Sequence, residues 1–444
     1  MSLNTTTSWG RYPSATPHNV VDLAWPSDAG VTPSNSPMLV YGLGRSYGDV
    51  CLNDGGTVFR TDRCDRMIAF DRSSGLLRAE SGLSIADLLG LVVPHGWFVP
   101  VTPGTKHVTL GGAVANDVHG KNHHRVGTFG CHVTAFELIR SDGTRNLCSR
   151  TENRELFSAT IGGLGLTGLI TWVEIQLMPI SSRTIHEESI KVSSLAEVVR
   201  VTEESDKDWD YTVSWIDVLA TGPRMGKGLV LRGRFQREAD STLSTHVAKP
   251  LLNVPIEAPS WLLSRPTIKV FNTLWYLKQI RRRQQRSIDL EKFFYPLDAV
   301  GRWNLLYGKR GMLQYQCVVP FNGGVEVLRD ILTVMQGGGV SSFLAVVKKF
   351  GDMRSPGILS FPRPGLTLTL DMPNTGRRLF DALDVCDDLV VQAGGRVYAA
   401  KDARIKGRVF RAMYPEINGF LPYIDPSFSS SFWRRIQSDT QGLM

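Results

Sequence analysis

The sequence predicts an α+β fold in which a glycine-rich first part is followed by an antiparallel sheet backed by helices. Three observations predict it. Glycine loops cluster within the first 170 residues, at 42–49, 103–112 and 162–168, where backbone must turn tightly or lie close to a ligand. Near residue 182 glycine thins out and longer elements begin. Between residues 313 and 400 strand-like alternation and helical periodicity follow one another in the order β-α-β-β-α-β, a pattern of strands with helices on one face. A chain of 444 residues is long enough for two domains.

In chain order, residues 1–35 are polar and dotted with proline and are read as a packing arm. Met38 to Tyr41 reads as a strand that runs into the glycine loop Gly42 to Asp49. Leu77 to Glu80 is a second strand, and Ser84 caps an apolar helix from Ile85 to Pro94. Val133 to Arg140 is a strand closed by the hairpin signal Ser141-Asp-Gly143. Glu155 to Ile161 is helical, and the loop 162–168 leads into the strand Leu169 to Met178. Ser193 is expected to cap a helix through Val201, ahead of strands at 211–218 and 229–235. Residues 245–290 read as irregular, mixing apolar pieces with the basic run Arg281 to Arg286. After them come strands at 313–319, 343–349, 366–371 and 396–400 and helices at 325–335 and 377–391. Strand alternation puts Gln314 and Gln316 on one face, Thr367 and Thr369 on one face, and Cys317 on the side away from Gln314 and Gln316.

Fifty Lys and Arg against 42 Asp and Glu give a net charge of +8, which suits an anionic ligand or membrane surface. No nucleic-acid motif accompanies it. The six cysteines form no C-x-x-C pair and read as free thiols. The start of the chain does not resemble a signal peptide, and no apolar run reaches the length of a membrane span. The expectation is a cytoplasmic protein, with peripheral contact at the inner membrane.

The stretch Val101 to Gly130 stands out. It has six glycines, a single acid (Asp117) and four of the chain's nine histidines. A packed helix is disfavoured by so many glycines, each costing about 1 kcal/mol relative to alanine. The loops at 42–49 and 103–112 each offer backbone donors suited to a diphosphate. Gly163, Gly165 and Gly168 match G-x-G-x-x-G, but a nicotinamide fingerprint must open a helix, and these glycines lead into a strand. His119, His123 and His124 invite a metal, but Gly120 and Lys121 break the helix that would align them and no H-E-x-x-H pattern occurs. No metal is expected. Lys401 follows a strand end, where a fixed cation can face a flavin instead of solvent.

These residues carry a family pattern. GLGRSYGD (42–49), TPGTKHVTLGGAVANDVHGKNHH (102–124), GTFGCHV (127–133), GGLGLTG (162–168), FYPLD (294–298), LQYQ (313–316), FPRPG (361–365), GGRVYAAKDAR (394–404) and AMYP (412–415) occur in family order. The chain resembles the vanillyl-alcohol-oxidase-type FAD oxidoreductases, and among them those acting on decaprenylphosphoryl-ribose-like lipid sugars. The resemblance implies a two-part FAD-binding domain, residues 1–181 and a return at 395–444, with an inserted antiparallel-sheet substrate domain at 182–394. It implies that Gly42, Leu43, Gly44, Arg45, Ser46 and Tyr47 line the FAD diphosphate. Pro103, Gly104, Thr105, Thr109, Gly111, Gly112, His119, Gly120, Gly165, Gly168 and Tyr398 would hold the rest of the cofactor. Lys121, Gln314, Gln316, Lys348, Thr367 and Thr369 would meet the substrate, with Lys401, His119 and Gln316 as the catalytic set. Arg45 stands where relatives with covalent flavin carry histidine, so the FAD is expected to be non-covalent.

The implied reaction is oxidation of the C2 hydroxyl of a polyprenyl-phosphate pentose to a 2-keto sugar, the first half of an epimerisation in arabinan-precursor synthesis for the cell wall. A short-chain reductase partner would complete it. Oxidation of a soluble sugar, alditol or aldonolactone is the alternative, and a non-catalytic flavoprotein the third reading. Thr367 and Thr369 replace a polar amide and a cysteine of the family, which puts the exact sugar and lipid in question.

Overall fold

Eight strands from the later part of the chain form one sheet, in the order Arg283–Asp289, Thr184–Val192, Gly228–Phe235, Tyr211–Ile216, Ala345–Phe350, Gly365–Pro373, Met312–Val319 and Arg396–Val397. Every neighbouring pair is antiparallel. The computed structural model describes residues 6–31, 33, 36–237 and 250–441. The fold is α+β.

Register decides what each face of this sheet carries. Gln316 pairs with Thr369, Thr369 with Val346, Gln314 with Asp371, and Thr367 with both Lys348 and Val318. Cross-strand partners share a face, so Gln314, Gln316, Thr367, Thr369, Asp371 and Lys348 all project to one side. The intervening residues Leu313, Tyr315, Cys317, Leu366, Leu368 and Leu370 project to the other, where they are buried in the largest apolar core. The helices Leu195–Ser205, Gly324–Gly337 and Arg377–Gln392 contribute Val198, Leu328, Ile331, Leu383 and Val390 to that core. One face is thus sealed by helices, and the other is a polar surface left for a second layer to cover.

The first part of the chain supplies that layer. A three-stranded parallel sheet joins Asn19–Asp22, Thr57–Arg60 and Met38–Tyr41. A five-stranded antiparallel sheet runs Met67–Asp71, Leu76–Glu80, Leu169–Gln176, Val133–Ile139, Arg145–Ser149. The helix Ile85–Val92 packs its apolar face into a second core, and Ser84 caps it by accepting from the Asp87 amide at 3.1 Å. The C-terminal segment returns to this part. The Met38 amide donates to Ser427 O and the Tyr47 amide to Ala400 O, while Arg435 bridges Asp49 and Asp402. A Cβ at Gly48 would lie 1.6 Å from Asp402 O, so glycine alone lets the 42–49 loop press against the returning chain.

Several expectations need correction. The region 1–35 is more than an arm, because Asn19–Asp22 enters the parallel sheet; positions 1–5, 32, 34 and 35 lie outside the described residues. Ser194, not Ser193, caps the helix Leu195–Ser205. Residues 245–249 lie outside the described residues and 250–264 are largely irregular, but 265–289 is regular, with a helix Arg265–Lys278 and a strand Arg283–Asp289. Most of the basic run, from Arg283 on, is therefore in the edge strand of the sheet, with Arg281 and Arg282 in the bend that leads into it. Strand 396–400 stops at Val397 and gives way to a single 3-10 turn, Ala399–Lys401. The glycine stretch does contain a short helix, Leu110–Ala115. Gly111 is tolerated there because its lack of a side chain admits close packing on Ser81, whose Cβ would lie 2.9 Å from an added Cβ.

Candidate active site

Between the polar face of the large sheet and the glycine-rich first part, the structure gathers residues from all regions of the chain. His119 follows the left-handed Asp117 (φ 41°). Asp117 is the local anchor. Its carboxylate accepts from Ser355 Oγ and Ser360 Oγ, both at 2.5 Å, and from the Gly130 amide at 2.9 Å. Burial raises its pKa, against these hydrogen bonds. So tied, the turn delivers His119 to the sheet, where Gln316 Nε2 lies 2.8 Å from His119 Nε2 and 3.4 Å from Thr367 Oγ1. With the amide as donor, the neutral imidazole carries its proton on Nδ1, a buried atom with no protein partner. Phe350, Phe361 and Tyr398 surround the ring at centroid distances of 4.9, 5.6 and 5.3 Å. Burial, then the charges of Lys348, His123 and Lys401, hold His119 well below its ordinary pKa, so it is neutral.

Three lysines converge on the same face. Lys401 Nζ sits 3.9 Å from the Tyr47 ring centroid, a cation–π contact. Burial lowers it to about 7, with Asp371 pulling up and Lys348 pushing down. Asp371, which accepts from Gln314 Nε2, is raised to about 7 by burial against Gln314 and Lys401. Lys121 donates to Phe293 O, lies 4.4 Å over the Phe293 ring, and is lowered to about 7, by burial first. Lys348 is lowered to about 8 by burial alone. One carboxylate, Asp371, shares this space, while Glu187 faces Lys121 and is itself engaged by Arg286. A group of half-desolvated cations with so little counter-charge is built to receive an anion.

The lysines set a pH dependence. A lysine whose folded pKa lies below its unfolded value leaves the unfolded chain with more bound protons between the two, so stability rises with pH across that window. Lys348 is the clean case, because burial is its only cause of shift. In the cofactor-free protein, Lys348→Met is expected to be more stable than wild type at pH 7, with the gap closing toward pH ~9.5, below the ordinary lysine pKa of about 10.4. Urea unfolding at both pH values measures it; parallel pH curves for the two proteins would contradict it.

The loops form the other wall. Thr109 caps Leu110–Ala115, accepting from the Gly112 amide at 3.1 Å, and a Cβ at Gly42 would meet Thr109 Oγ1 at 2.6 Å. Gly44 is left-handed (φ 60°), and any side chain there would strike Tyr41 Oη. Arg45 lays its guanidinium 4.2 Å over the Trp9 ring, with Nε buried and unpartnered. Burial lowers its pKa. Leu43 is exposed on this loop, Ser46 O accepts from the Trp9 amide, and Thr105 Oγ1 accepts from the His107 amide at 3.2 Å. Pro103 is half-buried and Gly104 lies open, where a Cβ would touch nothing. A Cβ at Gly120 would meet Thr102 O at 2.9 Å. Tyr398 Oη donates to Asn116 O at 2.7 Å, joining the returning chain to the short helix.

Not every expected residue faces this space in the same way. Gly165 and Gly168 have left-handed φ, and the loop holding them is tied to the end of the short helix by Gly162 N to Val114 O and Leu164 N to Ala115 O. A Cβ at Gly168 would lie 2.5 Å from Ile139 O, a packing constraint. The loop then enters the strand Leu169–Gln176. Thr369 is half-buried beside Gln316, and Cys317 lies fully buried on the helix side with its thiol pushed up to about 12. Asp371 and Asp117 did not emerge from the sequence as site residues. Asp371 had a signal, since it continues the alternation Thr367, Thr369, Asp371. Asp117 had none beyond being the single acid in its stretch.

Comparison with known proteins gives one family match and three relatives. The family described as FAD binding domain matches residues 31–149. Decaprenylphosphoryl-beta-D-ribose oxidase of Mycolicibacterium smegmatis is 36% identical over 414 residues, spanning 90% of this chain and 89% of that protein. An uncharacterized protein of Streptomyces coelicolor is 34% identical over 374 residues, 80% of this chain and all of its own length (100%). L-gulonolactone oxidase of Mus musculus shares 29% identity over 147 residues, 33% of this chain and 32% of its own.

Proposed function

Because this chain belongs to the decaprenylphosphoryl-β-D-ribose oxidase family and is an FAD-dependent oxidoreductase, we propose that it oxidises the C2 hydroxyl of a polyprenyl-phosphate pentose to a 2-keto sugar. The observation that carries the reading is the set formed by Lys348 on the polar sheet face with Lys121 and Lys401 from the loops that cover it, beside neutral His119 and the amides of Gln314 and Gln316. The amides suit sugar hydroxyls, and the lysines suit a phosphate. Thr367 and Thr369 stand between them on the same face. The reaction would be the first half of an epimerisation serving cell-wall arabinan synthesis, with a partner reductase and contact with an anionic membrane surface as parts of the same reading.

The residues present fit FAD. Gly42, Gly44 and Gly104 keep side chains away from the loop wall, and Arg45 Nε, Asn116 Oδ1 and His119 Nδ1 are buried polar atoms without a protein partner. The 42–47 loop and 103–112 would hold the diphosphate, with His119, Gly120, Tyr398 and the 165–168 loop around the remainder. In this reading residues 1–181 and 395–444 bind the cofactor, and 182–394 is an inserted substrate domain. Bound FAD supplies the two-electron acceptor. Gln316 orients His119, and His119 presents Nδ1–H. Lys401 Nζ, with Asp371 beside it, holds a positive charge or exchanges a proton near neutrality. Product analysis tests the reaction: the sugar should lose two hydrogens at C2. Recovery of unoxidised sugar only would contradict it.

Arg45 cannot form a flavin–histidyl bond, and no other residue at 42–47 offers that nucleophile. FAD is therefore expected to be non-covalent. Acid precipitation should leave all yellow colour in the supernatant; colour retained in the pellet would refute this.

A further inference from the structure

The helix Arg265–Lys278 is inverted relative to an ordinary surface helix. It touches the body through a narrow stripe, Ile268 and Asn272, with Gln279 following it, and Asn272 donates to Asp217 Oδ1 and Ser342 O. Its opposite face is apolar and open: Val270, Leu274 and Leu277 are 59%, 63% and 58% exposed, beside Phe271 and Trp275. Trp261, Ile256, Leu251 and Ile280 in the flanking chain are exposed as well, Ile280 at 92%. Exposed apolar surface on this scale marks an interaction site.

The charge around it identifies the occupant. Residues 250–286 contain seven Lys and Arg against one acid, Glu257, so this segment holds +6 of the chain's net +8. At the foot of the helix an open groove of about 410 Å³ is lined by Lys191, Tyr276, Ile280, Arg282 and one acid, Glu197, which pairs with Arg282 at 2.7 Å; Lys191 Nζ lies 4.4 Å over the Tyr276 ring. Apolar side chains pointing outward, tryptophans at the margin and a basic surround are the attributes of an element lying in a membrane interface. A second copy of the chain would bring two such basic patches together across a two-fold axis, which opposes dimerisation through this face. Among the described residues no helix is long and apolar enough to cross a membrane.

The patch is also continuous with the candidate active site. Phe271 stacks edge-on against Phe343 at 5.7 Å, and Phe343 lies 6.0 Å from Tyr307. Tyr307 shares one apolar cluster with Tyr47, the residue beneath Lys401. An unbroken apolar path thus joins the open face of the helix to the cation group.

We propose that Arg265–Lys278 is a membrane-docking helix that inserts Val270, Leu274 and Leu277 into the interface of an anionic bilayer, with Arg281, Arg282 and Lys191 at the headgroups. Its role in delivering substrate rests on the lipid-sugar reading above; the docking itself does not. The test is co-sedimentation of the FAD-loaded protein with sucrose-loaded vesicles of phosphatidylcholine alone or with 30 mol% phosphatidylglycerol. Anionic vesicles should bind at least ~10-fold more protein than neutral ones. Leu274→Glu with Leu277→Glu should cut that binding at least ~10-fold at unchanged FAD absorbance, since both residues are exposed. Arg281→Ser with Arg282→Ser should remove most of the preference for anionic lipid. Absent vesicle binding, or binding unaffected by the leucine pair, overturns the proposal. So does a wild-type dimer that the leucine pair converts to monomer, or an acidic reductase whose capture alone depends on those leucines. Vesicle binding that survives without oxidation of any lipid-linked sugar would sink the substrate reading and leave the docking helix standing.

Discussion

Lys401→Ala is expected to keep the fold and the bound FAD while lowering turnover by about 10² to 10³, the usual cost of removing one preorganised electrostatic group. The fold should tolerate the loss because the partner can neutralise itself. Breaking a buried ion pair is costly when it strands a charge, but burial already raises Asp371 to about 7. Without Lys401 the carboxyl would take up a proton, still hydrogen-bonded to Gln314. What disappears is the cation held over Tyr47, and no neighbour is placed to replace it, since Lys348 lies on a separate strand paired to Thr367. Lys401→Met is the matching control for side-chain volume. The observable is the rate of anaerobic flavin reduction at saturating substrate, with FAD content checked by absorbance. Near-normal reduction in both variants would show that Lys401 takes no part in the reaction.

The second large effect concerns the lipid. Removing the polyprenyl tail should lower kcat/KM at least ~200-fold, mostly through KM. Burial of only four CH₂ groups at roughly 0.8 kcal/mol each amounts to about 3 kcal/mol, and every 1.4 kcal/mol is a factor of ten. Leu263, Leu306 and Phe343, partly exposed at the edge of the buried cluster of Tyr47, Trp303, Tyr307 and Met312, are the apolar groups nearest the lysines that a tail could cover. A short-tailed phosphoribose should fall between the full substrate and the free sugar, because phosphate contacts persist when chain contacts are lost.

How much of this was legible in the sequence follows from which residues obey a simple period. The sheet between 312 and 397 was readable because its strands alternate, and Gln314, Gln316, Thr367 and Thr369 appear on the expected face for that reason. The same alternation predicted that Cys317 points away from Gln314 and Gln316, the side that the structure fills with core. Asp371 continues it but sits at the end of the apolar run, where it reads as a strand terminator. The helix Arg265–Lys278 was obscured because its pattern is reversed: polar Asn272 is buried and Leu274 is exposed. The edge strand Arg283–Asp289 has almost no apolar residues to alternate, and partner pairing with Thr184–Val192 alone defines it. Asp117 is a tertiary fact, since Ser355 and Ser360 lie more than 200 positions away (|i−j| 238 and 243). The glycine loops were readable as tight turns, yet Gly168 and Gly48 owe their identity to backbone packing against Ile139 and Asp402.

The claim that this cation-lined, lipid-accessible site oxidises a lipid-linked phosphosugar is tested most directly by watching the flavin. Under anaerobic conditions, polyprenyl-phosphoribose should bleach the oxidised FAD absorbance within one turnover, while free pentoses, alditols and aldonolactones at equal concentration leave it yellow on that timescale. Bleaching by a soluble pentose or alditol as fast as by the lipid-linked sugar would contradict the account and assign the enzyme to soluble polyols instead.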